Sequence, residues 1–262
     1  KSIEELTEKM KYFKYYHEVY KTVLGEFLGK YSIQTGIDEE TGNPILEEKY
    51  GLKAFLPIAK TFPYQHYDDF GASRSYGYAR PHLGHDMMAA VGTPVIAIES
   101  GIVEVMGWNQ YGGWRVGIRS FDKKRYYYYA HLRKDKPFHE EIAEGKVVKA
   151  GDVIGYVGRT GYSPNENVNN IETSHLHVGL ELIFDESQKE CDNEIWINLF
   201  DIVKLPHKTI QYRKTPPPMK RLPFERFSDK RFYYANAPPC KQGFSLTTDF
   251  TWRILLCTKK FL

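Results

Sequence analysis

Two short stretches constrain this chain more than anything else in it: Arg80-Pro81-His82-Leu83-Gly84-His85-Asp86 and, far downstream, Ser174-His175-Leu176-His177. In an extended strand successive side chains point to opposite faces, so His82, Gly84 and Asp86 share one face of the first stretch while His175 and His177 share a face of the second. Two such strands bring three or four metal-binding groups together. Two imidazoles and one carboxylate form an N,N,O donor set that suits zinc, and three protein ligands leave a fourth tetrahedral position open, the mark of a catalytic and not a structural site. The spacing by itself does not choose between His175 and His177.

The chain of 262 residues is long enough to bury a core and to carry additions to one domain. Its 20 Tyr, 15 Phe and 21 Gly with 26% charged residues fit a β-rich folded protein and exclude a disordered one. Cys191, Cys240 and Cys257 lie far apart without paired spacing, which argues against a disulfide framework or a cysteine zinc site. No apolar run is long enough to span a membrane. A first residue of Lys1 reads as a fragment whose targeting or anchoring segment has been removed, with an anchor upstream. The formal net charge of +3 conceals an asymmetry. From Lys204 onward thirteen Lys and Arg face three Asp and Glu, a balance suited to anionic polymers, membrane surfaces or plain solvation. No nucleic-acid partner is expected.

In chain order, apolar residues at Ile3, Leu6, Met10, Phe13, Tyr16, Tyr20, Val23, Leu24, Phe27 and Leu28 follow a three-four spacing. They predict one amphipathic helix over residues 2–29, packed on its own protein. Gly36 to Pro44 reads as a turn-rich connector, and Phe55 to Tyr78, with Pro57, Pro63, Gly71 and Gly77, as lead-in strand and loops along one side of the site. Strand-like runs follow at 94–99, 101–108, 114–121, 125–132, 147–157 and 175–184, separated by turn signals such as Gly112-Gly113 and Gly151-Asp152. With no helical period between them, they predict a mainly β fold, a compact antiparallel sandwich or barrel-like domain. Residues 185–203 read as a closing connector and short helix, and Thr215-Pro216-Pro217-Pro218 begins a Pro-containing basic tail. The expected divisions are 1–54, 55–203 and 204–262.

A third histidine joins the set. In Tyr126-Tyr127-Tyr128-Tyr129-Ala130-His131 strand alternation puts Tyr127, Tyr129 and His131 on one face. Arg-x-His-x-Gly-x-Asp at 80–86, Tyr-x-His at 129–131 and His-x-His at 175–177, together with Gly92-Thr93-Pro94-Val95 and the run Lys149-Ala150-Gly151-Asp152-Val153-Ile154-Gly155, resemble the lysostaphin and LytM type zinc metallopeptidases over roughly 55–184. The resemblance implies the duplicated hybrid motif fold and an endopeptidase that cuts peptide bridges or stems of bacterial peptidoglycan outside the cytoplasm. It also implies one zinc ion per chain held by His82, Asp86 and His177, with His131 and His175 as unligated catalytic imidazoles. Zinc lowers the pKa of water and polarises the scissile carbonyl, and neutral imidazoles accept and return the proton. No His-Glu-x-x-His helix supplies a glutamate base.

Departures from the family pattern fall at two places. His85 stands where the family usually has an apolar residue, and by parity it faces away from the metal. The loop from Arg159 to Thr173, with Asn165, Asn167, Asn169 and Asn170, looks longer and more polar than is usual, which bears on substrate choice. His17, His66, His139 and His207 have no motif context and read as surface or packing residues. Asp68 and Asp69 are candidates for a latent state in which a lead-in side chain occupies the open metal position. The alternative to an enzyme is a non-catalytic scaffold or regulator of another cell-wall hydrolase on the same fold, and retention of all five site residues favours the enzyme. A carbohydrate-binding sandwich that stacks sugars on its tyrosines has no need of the histidine spacing.

Overall fold

From the N-terminus the chain forms α1 (Ile3–Thr7), α2 (Phe13–Phe27) and a hairpin of β1 (Leu28–Ile37) with β2 (Pro44–Leu52). Short strands β3 (Tyr64–His66), β4 (Ser73–Arg74) and β5 (Arg80–Pro81) lead into β6 (His85–Ala89) and β7 (Pro94–Ile96). There follow β8 (Gly101–Asn109), β9 (Gly113–Ser120), β10 (Arg125–Ala130), β11 (Val147–Val148), β12 (Val153–Tyr156) and β13 (His175–Leu182). The chain then adds α3 (Glu186–Lys189), β14 (Ile195–Ile197) and α4 (Phe200–Lys204). This computed structural model describes residues 2–189 and 193–204, within a unit that includes Lys1–Arg213. The three cysteines, His207 and the Pro-rich basic tail lie outside the described residues.

The expected mainly β, antiparallel fold is what the chain adopts. An eight-stranded sheet runs β11-β8-β9-β10-β13-β6-β3, with β14 also pairing β13, and β7 and β12 form a separate two-stranded sheet. The expected single strand over 147–157 is therefore two strands in two sheets, because the turn at Gly151, with φ of 93°, redirects the chain between them. Tight turns are built by side chains suited to them. Asn109 Oδ1 accepts from the backbone N–H of Tyr111 at 2.8 Å and of Gly112 at 3.1 Å, closing the β8–β9 hairpin. β13 is central: β10 lies on one side, while β6 pairs its first half and β14 its second.

The N-terminal segment departs from a single helix. Helix α1 has a Ser2–Glu5 capping box but no buried residue, and Thr7 Oγ1 turns back to the Ile3 carbonyl at 2.7 Å. A five-residue helix with no apolar face against the protein does not propagate, and Ile3, Leu6 and Met10 stay exposed. Helix α2 does pack, through Val19, Thr22, Val23 and Phe27, whose ring meets Tyr127 edge-on. Leu28 starts a strand instead of closing the helix, and the expected connector at 36–44 is the turn of the β1–β2 hairpin.

The core lies under the inner face of the large sheet. Val116 and Ile118 on β9, Tyr127 and Tyr129 on β10, and Leu176, Val178, Leu180 and Leu182 on β13 are all fully buried there. Tyr127 and Tyr129 find partners for their hydroxyls, donating respectively to Glu99 Oε2 at 2.6 Å and accepting from the Ile98 N–H at 2.9 Å. Arg125 anchors this region: its guanidinium, 1% exposed, donates to Glu99 at 2.9 Å, Asp122 at 3.0 Å and the Thr22 carbonyl of α2 at 3.2 Å. Removing one member of a buried charge network leaves the others unpaired, so Arg125→Ala should cost about 3–5 kcal/mol. Equilibrium urea unfolding measures it; a loss below about 1 kcal/mol would mean that solvent reaches Glu99.

Candidate active site

The outer face of the same sheet carries the chemistry, and strand pairing assembles it. His177 on β13 stands directly opposite Asp86 on β6, so both side chains leave the sheet on one face. His82 lies just before β6, outside the strand expected for it. Backbone bonds from its N–H to the Ala72 carbonyl and from the Gly71 N–H to its own carbonyl, both 2.8 Å, fix that segment. Three donor atoms converge: His82 Nε2 lies 2.8 Å from His177 Nδ1 and 3.0 Å from Asp86 Oδ1, and His177 Nδ1 lies 2.9 Å from the same oxygen. One ion can touch all three, and His82, Asp86 and His177 form a group that could hold a metal ion.

Asp69 and Arg74 support this triangle from behind. His82 Nδ1 faces the Asp69 carbonyl at 3.1 Å and its carboxylate at 3.1 Å, so its other nitrogen is the one directed to the ion position. Arg74 Nη2 bridges Asp69 Oδ2 at 2.9 Å and Asp86 Oδ2 at 3.0 Å. Asp69 is thus engaged on the far side of His82, and Asp68 accepts from Asn198 Nδ2 at 2.9 Å, so neither is a lead-in group over the open position. Burial alone pushes His82 down, but hydrogen bonds and charge from Asp69 and Asp86 raise it to about 9. Burial likewise opposes ionisation of Asp86, yet hydrogen bonds from His177 and His82 hold it far below the usual carboxylate range. Neither Asp69 nor Arg74 shows a metal-type spacing in the sequence; only the folded loop reveals them.

His131 and His175 complete the constellation, their rings 4.8 Å apart and His131 5.8 Å from His177. Each Nδ1 meets a backbone carbonyl, Thr160 at 2.9 Å for His131 and Thr173 at 2.8 Å for His175. A carbonyl only accepts, so Nδ1 carries the proton and Nε2 keeps a lone pair. Burial first, then the charges of His175 and His177, lower the His131 pKa well below its ordinary value, so this ring is neutral at neutral pH. The expectation that Tyr127 and Tyr129 share the face of His131 is overturned. His131 follows the end of β10 with φ of 60°, which breaks strand alternation and turns the ring to the outer face, while the two tyrosines face the core. The β10 tyrosine that does meet the site is Tyr128, edge-on to His177 at 5.9 Å.

Loops wall the cleft. In the polar loop from Arg159 to Thr173, Asn167 Oδ1 accepts from Trp114 Nε1 and the Asp135 N–H, both at 2.9 Å. Its Tyr162 is set edge-on to His131 at 5.8 Å and stacks on Tyr76 at 4.8 Å. His85 faces away as parity requires: it is 1% exposed, its Nε2 lies 2.8 Å from His66 Nδ1 and its ring meets Phe200. His17 stacks on Phe13, and His139 Nδ1 accepts from the Glu141 N–H, so both are packing or surface groups.

Gly84 decides whether the His177 ring fits. A Cβ there would lie 2.4 Å from His177 Cε1 and 2.5 Å from Nε2. Gly84→Ala should displace that ring and cost about 1–3 kcal/mol. Imidazole resonances of His177 unchanged from wild type, read by NMR, would show that the ring has room.

Residues 80–189 match the model described as Peptidase family M23. Among curated proteins, the L-Ala--D-Glu endopeptidase of Bacillus subtilis is 40% identical over 131 residues, which is 50% of this chain and 38% of that protein. Lysostaphin of Staphylococcus staphylolyticus is 41% identical over 83 residues, 31% of this chain and 16% of that one. The peptidoglycan DD-endopeptidase ShyC of Vibrio cholerae is 32% identical over 147 residues, 53% of this chain and 32% of that one. The chain thus spans well under half the length of each of these relatives. The segment 80–189, which carries the His82, Asp86, His131, His175 and His177 motifs, is thus similar to peptidase family M23 and to its endopeptidase relatives.

Proposed function

We propose that this protein is an extracytoplasmic zinc endopeptidase that hydrolyses peptide cross-bridges or stem peptides of bacterial peptidoglycan. The observation that carries the reading is the convergence of His82, Asp86 and His177 on one point with two further imidazoles beside it. His82 Nε2, Asp86 Oδ1 and His177 Nδ1 hold the metal, and an N,N,O set backed by a carboxylate on the first histidine fits zinc. When bound, zinc supplies Lewis acidity toward a water and the scissile carbonyl. The relatives' names, which specify L-Ala--D-Glu, glycyl-glycine and peptidoglycan DD bonds, support a peptidoglycan peptide as substrate.

The chain's own part is proton handling. His131 and His175 present Nε2 as acceptors, with Nδ1 held by the Thr160 and Thr173 carbonyls. One of them takes the proton of the attacking water at Nε2 and returns it to the leaving amine. Zinc-loaded protein should release new peptide termini from purified peptidoglycan, read by mass analysis, and a chelator should stop it. Intact peptidoglycan in the presence of zinc would favour the non-catalytic regulator. His131→Ala and His175→Ala should lower turnover about a hundred- to ten-thousandfold while zinc stays bound. His82→Ala, Asp86→Ala or His177→Ala should lose the metal itself; a stoichiometric metal that survives all three puts the site elsewhere.

The electrostatics supply an independent check. Below a pKa of about 9, metal-free His82 carries a proton on the ring that must be neutral to bind an ion. Zinc binding at pH 7 should therefore release about one proton from His82, and affinity should fall as pH is lowered. Titration calorimetry in buffers of different ionisation enthalpy measures this, and Asp69→Asn should reduce the release by returning His82 toward its ordinary range.

We propose the divisions 1–54, 55–203 and 204–262, with the last serving attachment. A protein truncated after Lys204 should keep its zinc and its cooperative melt. Loss of either would show that the basic segment belongs to the core.

A further inference from the structure

The two carboxylate oxygens of Asp86 have different surroundings. Oδ1 stands in the triangle of donors, 2.9 Å from His177 Nδ1 and 3.0 Å from His82 Nε2. Oδ2 accepts from Arg74 Nη2 at 3.0 Å. His175 Nε2, at 3.8 Å from that oxygen, is beyond hydrogen-bond range. The same Arg74 nitrogen donates to Asp69 Oδ2 at 2.9 Å, so both of its hydrogens are committed to the two acids behind the site.

Strand pairing delivers this guanidinium together with a ligand. Ser73 and Arg74 of β4 pair with Pro81 and Arg80 of β5, and His82 follows β5 directly. A ligand and the counter-charge of its neighbour therefore arrive on one two-stranded ribbon. The Arg74 side chain is 26% exposed and that of Asp86 8%, so solvent screens this pair only in part. Burial opposes the charge on Arg74, but Asp86 and Asp69 more than offset it, and its pKa is raised.

Carboxylate oxygens decide much of a site's metal preference. Zinc is satisfied by about four N, O or S ligands, whereas calcium and manganese take about six or more, mostly oxygen, and a carboxylate that gives both oxygens helps to reach that number. With Oδ2 held by Arg74, Asp86 has one oxygen to give. The guanidinium also cancels one of the two negative charges of Asp69 and Asp86, and hard cations depend on such charge.

We propose that Arg74 is a metal-selectivity residue: by holding Asp86 Oδ2 it confines Asp86 to ligation through one oxygen, and so favours a four-coordinate ion of the zinc type over manganese. Arg74 acts through Asp86 and is a positioning residue. This rests on the metal-centre reading above and adds what sets the choice of ion.

The test uses the whole chain, wild type, Arg74→Gln and Arg74→Met, loaded in turn with zinc, manganese and cobalt(II). Cobalt(II) absorbs strongly in the visible when four-coordinate and weakly at higher coordination, so its spectrum reads the geometry without any substrate. The wild-type cobalt band should be strong, and both variants should weaken it. Competition calorimetry should show the zinc-over-manganese preference of the variants narrowed about ten- to a hundredfold, the range by which groups behind a ligand tune metal affinity. Variants that keep the wild-type cobalt spectrum and the wild-type zinc-to-manganese ratio, whatever their absolute affinity, would make Arg74 a brace of the loop and overturn the proposal. A weak cobalt band in the wild-type protein, or manganese bound there as tightly as zinc, overturns it even where neither variant folds. Wild-type protein that takes up none of the three ions defeats the metal-centre reading itself, and the proposal with it.

Discussion

Asp86 is a buried carboxylate that cannot be neutral and cannot be alone. Two imidazoles and a guanidinium converge on it: His177 at 2.9 Å, His82 at 3.0 Å and Arg74 at 3.0 Å. An isolated charge in that position would be untenable, so each partner is held by its own structural device. Pairing of β13 with β6 sets His177, backbone bonds to Ala72 and Gly71 set His82, and Asp69 sets both His82 and Arg74. The lead-in loop is therefore part of the site, although it precedes the segment that matches the family.

The large sheet divides its labour by alternation. Odd positions of β10 and even positions of β13 fill the inner core, and the opposite set forms the cleft floor. This arrangement is why β13 is buried almost throughout without being uniformly apolar: His177 and Glu181 lie on its outer face, and Gly179 gives room to the Trp196 ring, 2.5 Å from where a Cβ would stand. Glu181, covered there, has its carboxyl pushed up to about 8 by burial and by Glu194, so it is a neutral acid at neutral pH. Stability from that protonated form is fully present below the ordinary glutamate pKa and is lost as pH rises through about 8.

Much of the site was legible before any fold was known, because metal chemistry demands particular residues at strand spacing. The grouping of His82, Asp86 and His177, the nearness of His131 and His175, and the turning away of His85 follow from residue type, parity and resemblance, and the geometry agrees. The face of Tyr127 and Tyr129 did not follow, since parity holds only while backbone angles stay extended, and His131 leaves them at φ of 60°. The single N-terminal helix failed for a related reason. A three-four apolar spacing states that a helix has a face, but only tertiary contact preserves it, and α1 finds none where α2 packs on Tyr127.

What the sequence determined by itself is the short-range physics: alternating strands, side-chain-closed turns, and donor groups brought to one face by a period of two. What only the tertiary structure decided is whatever depends on atoms distant in the chain arriving within about 3 Å, the range of a hydrogen bond. Asp69 behind His82 and Arg74 across two carboxylates are of this kind. Their partners are set by loop paths and strand register, which no local spacing encodes, because the free energy that selects them is released only when the whole sheet closes over its core.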